Sequence, residues 1–182
     1  MAVINRSHFY SNYRKEFGTL KHPQVKYINI LLDSIENDPL ADDVYHLCYI
    51  MATVKHETAD TYKPLREYGR GAGRSYGQPV GPYNHVYYGR GYVQLTWMEN
   101  YKFQGSKIGV DFVKYPDLVM DPEYAYIILA NGMRMGDFTG RRLSNYINAK
   151  KKDYVQARRV VNGMDKAELI ATYARSFEKC LI

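Results

Sequence analysis

The 182 residues, 46% of them hydrophobic, can bury an apolar core without disulfides or metal, and they predict one compact unit or two lobes. No stretch approaches the roughly 20 apolar residues that a membrane helix needs, and the N-terminus reaches His8 without the apolar core of a secretory signal; the sequence predicts a chain made in the cytoplasm with no stable membrane insertion. A net charge of +6 favours an anionic partner, but Lys and Arg are spread along the chain rather than gathered in a stripe, which argues against nucleic acid.

Helical signals come first in chain order. Ser7 to Phe17 is closed by Gly18, and a second segment enters through Pro23 and runs from Val25 to Ile35; Pro in the first turn and Gly after the last are the expected punctuation. A third, stronger helix spans about Asp42 to Glu57, where Leu47, Ile50, Met51 and Val54 recur at three- and four-residue spacing. Cys48 in this pattern and Cys180 in the last one read as buried free thiols.

Periodicity stops between Thr58 and Val93, where seven glycines and three prolines leave room for short hairpins at most. Of the 19 tyrosines, Tyr62, Tyr68, Tyr76, Tyr83, Tyr87, Tyr88 and Tyr92 fall here, a density that argues against disorder. A flat ring with a hydroxyl at its tip suits sugar rings, and it also packs ordinary cores. Helical patterning resumes after Thr96, read as an N-cap, and continues through Tyr101. Asp121-Pro122 starts another helix, to about Arg134, and two more run from Asp153 to Val161 and from Asp165 to Leu181. The expected organisation is a mainly α single domain over 1–182, helical over about 1–57 and 93–182, with 58–92 as a loop-rich insertion.

Few constellations can carry chemistry. His56-Glu57 lacks the second His of a zinc-protease motif, and no other His or Cys completes a ligand set, so no metal site is expected. Gly69-Arg70-Gly71-Ala72-Gly73 shares only its composition with phosphate loops. Two carboxylates remain. Glu57 falls on the helix side of Ile50 and Val54, near the negative end of the helix dipole, and both circumstances favour its protonated form. Glu67, ten residues on, lies between Arg66 and Arg70, which favour the ionised form. A neutral acid and a charged base are what a glycosidase needs. A glutamate at a helix end or between arginines also reads as a solvated surface charge, and residue chemistry alone leaves both readings open.

A longer pattern carries a resemblance. His56-Glu57-Thr58, the run Tyr87-Tyr88-Gly89-Arg90-Gly91-Tyr92-Val93-Gln94-Leu95-Thr96-Trp97, Asn100-Tyr101, Ile108-Gly109-Val110-Asp111, Pro116-Asp117-Leu118-Val119 and Val160-Val161-Asn162-Gly163 occur in an order similar to that of glycoside hydrolase family 19, the chitinase-related group that includes bacteriophage endolysins. The similarity covers roughly residues 45–180. It implies a lysozyme-like α-rich fold whose Gly/Tyr-rich loop, with room for a short β-hairpin, lines a cleft, and an inverting mechanism without a cofactor. It carries the proton donor to Glu57, the general base to Glu67, the water-positioning hydroxyl to Thr96, and substrate contacts to Gln94, Asn100 and Asn162. His56, Tyr68, Tyr88 and Arg90 complete the candidate substrate-binding set, with Arg90 read mainly as a brace and Trp97 as core.

Plant chitinases place the base further downstream, whereas bacterial and phage members resemble this short spacing, which tilts the expected substrate toward peptidoglycan glycan strands. The implied role is a monomeric muramidase-type endolysin, acting on the cell wall after release across the inner membrane and causing lysis. A chitinase acting on N-acetylglucosamine polymers and an inactive sugar-binding or virion protein are the alternatives.

Overall fold

The computed structural model describes residues 3–182, with six α-helices and two short antiparallel strand pairs among them. Two units form: Met1–Tyr62 with Leu129–Ile182, and Lys63–Ile128.

The first unit is helical, and its elements begin and end where local chemistry satisfies the free backbone groups. Helix α1 (Arg6–Phe17) starts at Asn5, whose side chain accepts from the His8 N–H, and stops at Gly18 with φ +89°. Helix α2 (His22–Glu36) has Pro23 in its first turn, and α3 (Val44–Glu57) is capped by Asp43, which accepts from the Tyr45 and His46 N–H groups. The last helix, α6 (Ala167–Leu181), packs against α1 and α3. Aromatic rings fill this junction, with Phe177 centred 4.9 Å from Phe17 and 6.1 Å from Tyr13. Cys48 and Cys180 are free and buried, and burial pushes the thiol of Cys180 up to about 12 and that of Cys48 up as well.

The second unit contains β1 (Leu65–Arg66), paired antiparallel with β2 (Arg90–Gly91), helix α4 (Met98–Ile108) and the first half of α5 (Pro122–Met135). Its core gathers Tyr87, Leu95, Tyr101, Phe112, Val119 and Ile128. Gly91, with φ +85°, lies against Val119, whose carbonyl would stand 3.1 Å from any Cβ added there.

Three local expectations are corrected. Asp153 to Val161 is not an α-helix; only a 3-10 turn forms, over Gln156–Val160. Within 93–182, expected to be helical, the stretch 147–152 forms a strand pair, β3 (Ile147–Asn148) with β4 (Lys151–Lys152). The stretch has no alternating pattern; tertiary bonds hold it, from His46 Nε2 to the Ile147 carbonyl and from Lys152 to Glu178. Thr96 is not the cap of α4, because Trp97 holds that position and no side-chain hydrogen bond closes the turn.

One buried ion pair supports the helical unit. Arg134 Nη1 lies 2.6 Å from Asp38 Oδ2, with the two side chains 9% and 11% exposed. Asp38→Ala is expected to lower unfolding free energy by about 3–5 kcal/mol, since a buried guanidinium is left without its anion. Urea denaturation measures this, and a loss under about 1 kcal/mol would show that solvent reaches Arg134.

Candidate active site

Glu67 follows β1 and is latched to Gly89 in both directions. Its N–H donates to the Gly89 carbonyl at 2.7 Å, and the Gly89 N–H donates to Oε2 at 3.1 Å. The Tyr76 hydroxyl donates to Oε1 at 2.9 Å. Gly89 leaves no room for a side chain, because a Cβ would stand 3.3 Å from Glu67 Cβ and 2.8 Å from Gln94 Oε1. Gln94 in turn donates to the Leu65 carbonyl at 3.0 Å. The expected flanking of Glu67 by two guanidinium groups is corrected in part. Successive side chains of a strand point to opposite faces, and Arg66 turns to Asp117 at 2.6 Å and to the Tyr88 hydroxyl at 3.0 Å. Arg70 is exposed and meets Glu67 through its backbone N–H.

Arg90 is the buried hub of this unit. Its Nε donates to Asp117 at 2.9 Å, and its Nη1 donates to the carbonyls of Val86 and Tyr88 and to the Tyr101 hydroxyl. The guanidinium carbon sits 3.5 Å from the centre of the Tyr88 ring. Tyr88 is thereby buried as a wall of the loop, whereas Tyr68 is fully exposed. Asn100 is exposed and donates to the Thr96 carbonyl at 2.9 Å. Trp97, expected in the core, is 45% exposed and meets the Tyr76 ring edge to face at 5.6 Å.

The remaining candidates belong to the helical unit. Glu57 is the last residue of α3, with its side chain 21% exposed and Oε1 2.7 Å from Nη1 of Arg158, which is itself 3% exposed. A cation therefore stands beside Glu57, where the sequence pointed only to burial and a helix end. Arg158 was missed by sequence reasoning: it stands 101 residues away, and nothing local to either residue signals the pairing. His56 is half-buried; Asn162 is exposed and accepts from the Gly163 N–H.

Beyond Glu57 the chain passes through left-handed Ala59, Asp60 and Tyr62, a conformation side chains resist. Several contacts impose it. Thr58 Oγ1 accepts from the Tyr62 N–H, and Lys55 pairs with Asp60. The Lys55 ammonium lies 4.5 Å from the Phe17 ring centre and 5.3 Å from that of Tyr173.

The fold of this chain is shared with solved chitinases. Chitinase C from Streptomyces griseus HUT6037 superposes with a TM-score of 0.64 at 20% identity, over 98% of this chain and 76% of that one. A mutant of chitinase C gives 0.63 at 21% identity, over 98% and 92%. Residues 50–130 match the family Glyco_hydro_19, described as Chitinase class I. Chitinase 11 of Oryza sativa subsp. japonica is 46% identical over 48 residues, which is 26% of this chain; the chain spans 19% of that relative's length.

Arg66, and to a lesser degree Arg90, hold the Asp117 carboxyl below its ordinary value of 3.8. The folded state therefore binds this proton less tightly than the unfolded chain. The resulting stabilisation is complete above about pH 4 and disappears as pH falls through the lower folded value. With 63% of the side chain exposed, solvent keeps the effect modest. Asp117→Asn is expected to flatten the acid limb of the stability profile below about pH 4. Thermal denaturation across that range measures it, and an unchanged limb would mean the pair contributes nothing.

Proposed function

We propose that this chain is a glycoside hydrolase that cuts the β-1,4 bond between N-acetylmuramic acid and N-acetylglucosamine in peptidoglycan, with inversion. One observation carries the assignment: the family segment contains Glu57 and Glu67, and each carboxyl is anchored by hydrogen bonds of a different kind. Glu57 is assigned the proton donor. Its contact to Arg158 through Oε1 leaves Oε2 to carry the proton, and the guanidinium stabilises the carboxylate formed once the leaving oxygen has taken it. Glu67 is assigned the base. Neutral donors, Tyr76 and Gly89, fix its orientation while each oxygen keeps a lone pair for water.

Thr96 is assigned to hold the attacking water, and His56, Tyr68, Tyr88, Arg90, Gln94, Asn100 and Asn162 to the substrate side of the site, with Tyr88 and Arg90 acting through the loop they build. The short ten-residue spacing of the glutamates and the charge of +6 favour an anionic cell-wall polymer over neutral chitin. In this reading the protein is a monomeric endolysin that reaches the wall after release across the inner membrane. A second reading, a chitinase acting on N-acetylglucosamine polymers, is favoured by the names of the relatives above.

Glu57→Gln is expected to lower the rate by about 10²–10⁴ with the fold intact. Glu67→Gln is expected to lose as much, with partial rescue by azide, which has no proton to give up. Wild-type turnover in either folded variant would remove that residue from the mechanism. Mass spectrometry of digested peptidoglycan should find reducing N-acetylmuramic acid ends, and NMR should find the α anomer first. Cleavage of chitin alone would favour the second reading, and released stem peptides with intact glycan would sink both.

Thr96→Val keeps volume and removes the hydroxyl. It should lower kcat at least about tenfold with a smaller change in KM. Because α4 takes no side-chain cap, little stability should be lost. A loss of melting temperature with kcat preserved would make Thr96 structural.

A further inference from the structure

Trp97 is the chain's single tryptophan, and it breaks three local rules at once. It occupies the cap of α4, where Ser, Thr, Asp and Asn are favoured because their side chains accept a backbone N–H, and no such bond is made. Its backbone is held at φ +68° and ψ +134°, a region that bulky L-residues avoid. Its indole, the largest apolar surface the chain has to bury, stays 45% exposed. A residue that gives up cap, backbone comfort and burial together marks a place where something other than folding decided the side chain.

The backbone around it is fixed rather than loose. The Trp97 N–H donates to the Tyr87 carbonyl at 3.0 Å, and its own carbonyl accepts from Asn100 and Tyr101. The indole meets the Tyr76 ring at 5.6 Å with planes 75° apart, and the hydroxyl of that tyrosine donates to Glu67. Tyr76 is set in place by a loop closed backbone to backbone, since a Cβ on Gly77 would overlap the Gly71 carbonyl. Desolvation first, and then the bond to Glu67, raise the Tyr76 hydroxyl above its ordinary value of 10.0, so it remains a donor across the working range. One aromatic contact thus separates an exposed indole from the carboxylate assigned as base.

We propose that Trp97 is a carbohydrate-binding platform, its indole stacking on the pyranose face of a β-1,4-linked amino-sugar, and that Tyr76 is a positioning residue that ties this platform to Oε1 of Glu67. The face of such a ring presents a patch of C–H groups, which an aromatic π-face accepts. Sugar seated on Trp97 presses on the Tyr76 ring, and Tyr76 fixes the lone pair that Glu67 turns to water. The inference rests on the glycoside hydrolase reading above and adds a binding surface to it.

Because Trp97 is the only indole, its fluorescence reports on this surface alone. Glu57→Gln protein, which keeps the Trp97 surroundings while blocking turnover, is titrated with the tetramer of N-acetylglucosamine and with soluble peptidoglycan glycan fragments. A saturable change in emission is expected with at least one of them. In the active protein, Trp97→Ala should raise KM about tenfold with kcat changed less, and Trp97→Phe should recover part of it. Tyr76→Phe should show the reverse split, with kcat down about tenfold and KM changed less. Melting temperatures near wild type show that the variants fold, and Trp97→Phe keeps the test open if the alanine variant does not.

Glycan that binds by calorimetry without moving the emission overturns the platform and leaves the hydrolase reading intact. Absence of both glycan binding and cleavage overturns that reading, and this inference with it. Equal losses in kcat and binding for Tyr76→Phe would remove its positioning role.

Discussion

A backbone N–H or carbonyl removed from water must find a partner, and a segment with two-residue strands has few ladder bonds to offer. In the loop unit the shortfall is met by side chains. Arg90 holds the carbonyls of Val86 and Tyr88, Tyr101 donates to Tyr88 as well, and Gln94 holds the Leu65 carbonyl. A guanidinium suits this task because its donors form a planar fork that cannot be deprotonated in a protein. Its charge is answered by Asp117, which Arg66 shares. Without this buried cation the carbonyls of Val86 and Tyr88 would each lose a donor, and Gly89, the anchor of Glu67, stands next to them.

The two glutamates are held by opposite means. Glu57 stands at the end of a long helix whose side chains are buried on nearly every face, so its backbone position is set by a rigid element and its carboxyl by a single remote guanidinium. Glu67 has no regular element behind it beyond two strand residues, and its carboxyl is oriented by a phenol and an amide. A charged partner changes the energy of a carboxyl more than its direction, whereas paired neutral donors fix direction with less effect on charge.

Much of the scaffold was legible because helix limits are written in local chemistry. Gly18, Pro23 and Asp121-Pro122 all mark boundaries that lie within a few residues of where the chain turns. The two signals that misled were also local. Thr96 has the right side chain for a cap one residue too early, and Asp153 accepts from the Gln156 N–H as a cap should yet starts only a 3-10 turn. In both places tertiary partners outweigh a cap worth about 1 kcal/mol: Trp97 is pinned to Tyr87, and Arg158 is drawn to Glu57 and the Asp165 carbonyl.

The sequence by itself determined most of the helices, the loop-rich stretch between them and the run of motif residues around Glu57 and Arg90, since each depends on residues near one another in the chain. Tertiary structure alone decided which groups stand beside the carboxylates. Arg158 reaches Glu57 across about a hundred positions, Arg66 faces Asp117 rather than its neighbour Glu67, and Trp97 is turned outward against Tyr76. Charge and aromatic contacts act through space at a few ångströms, and chain distance carries no information about them until the backbone has closed.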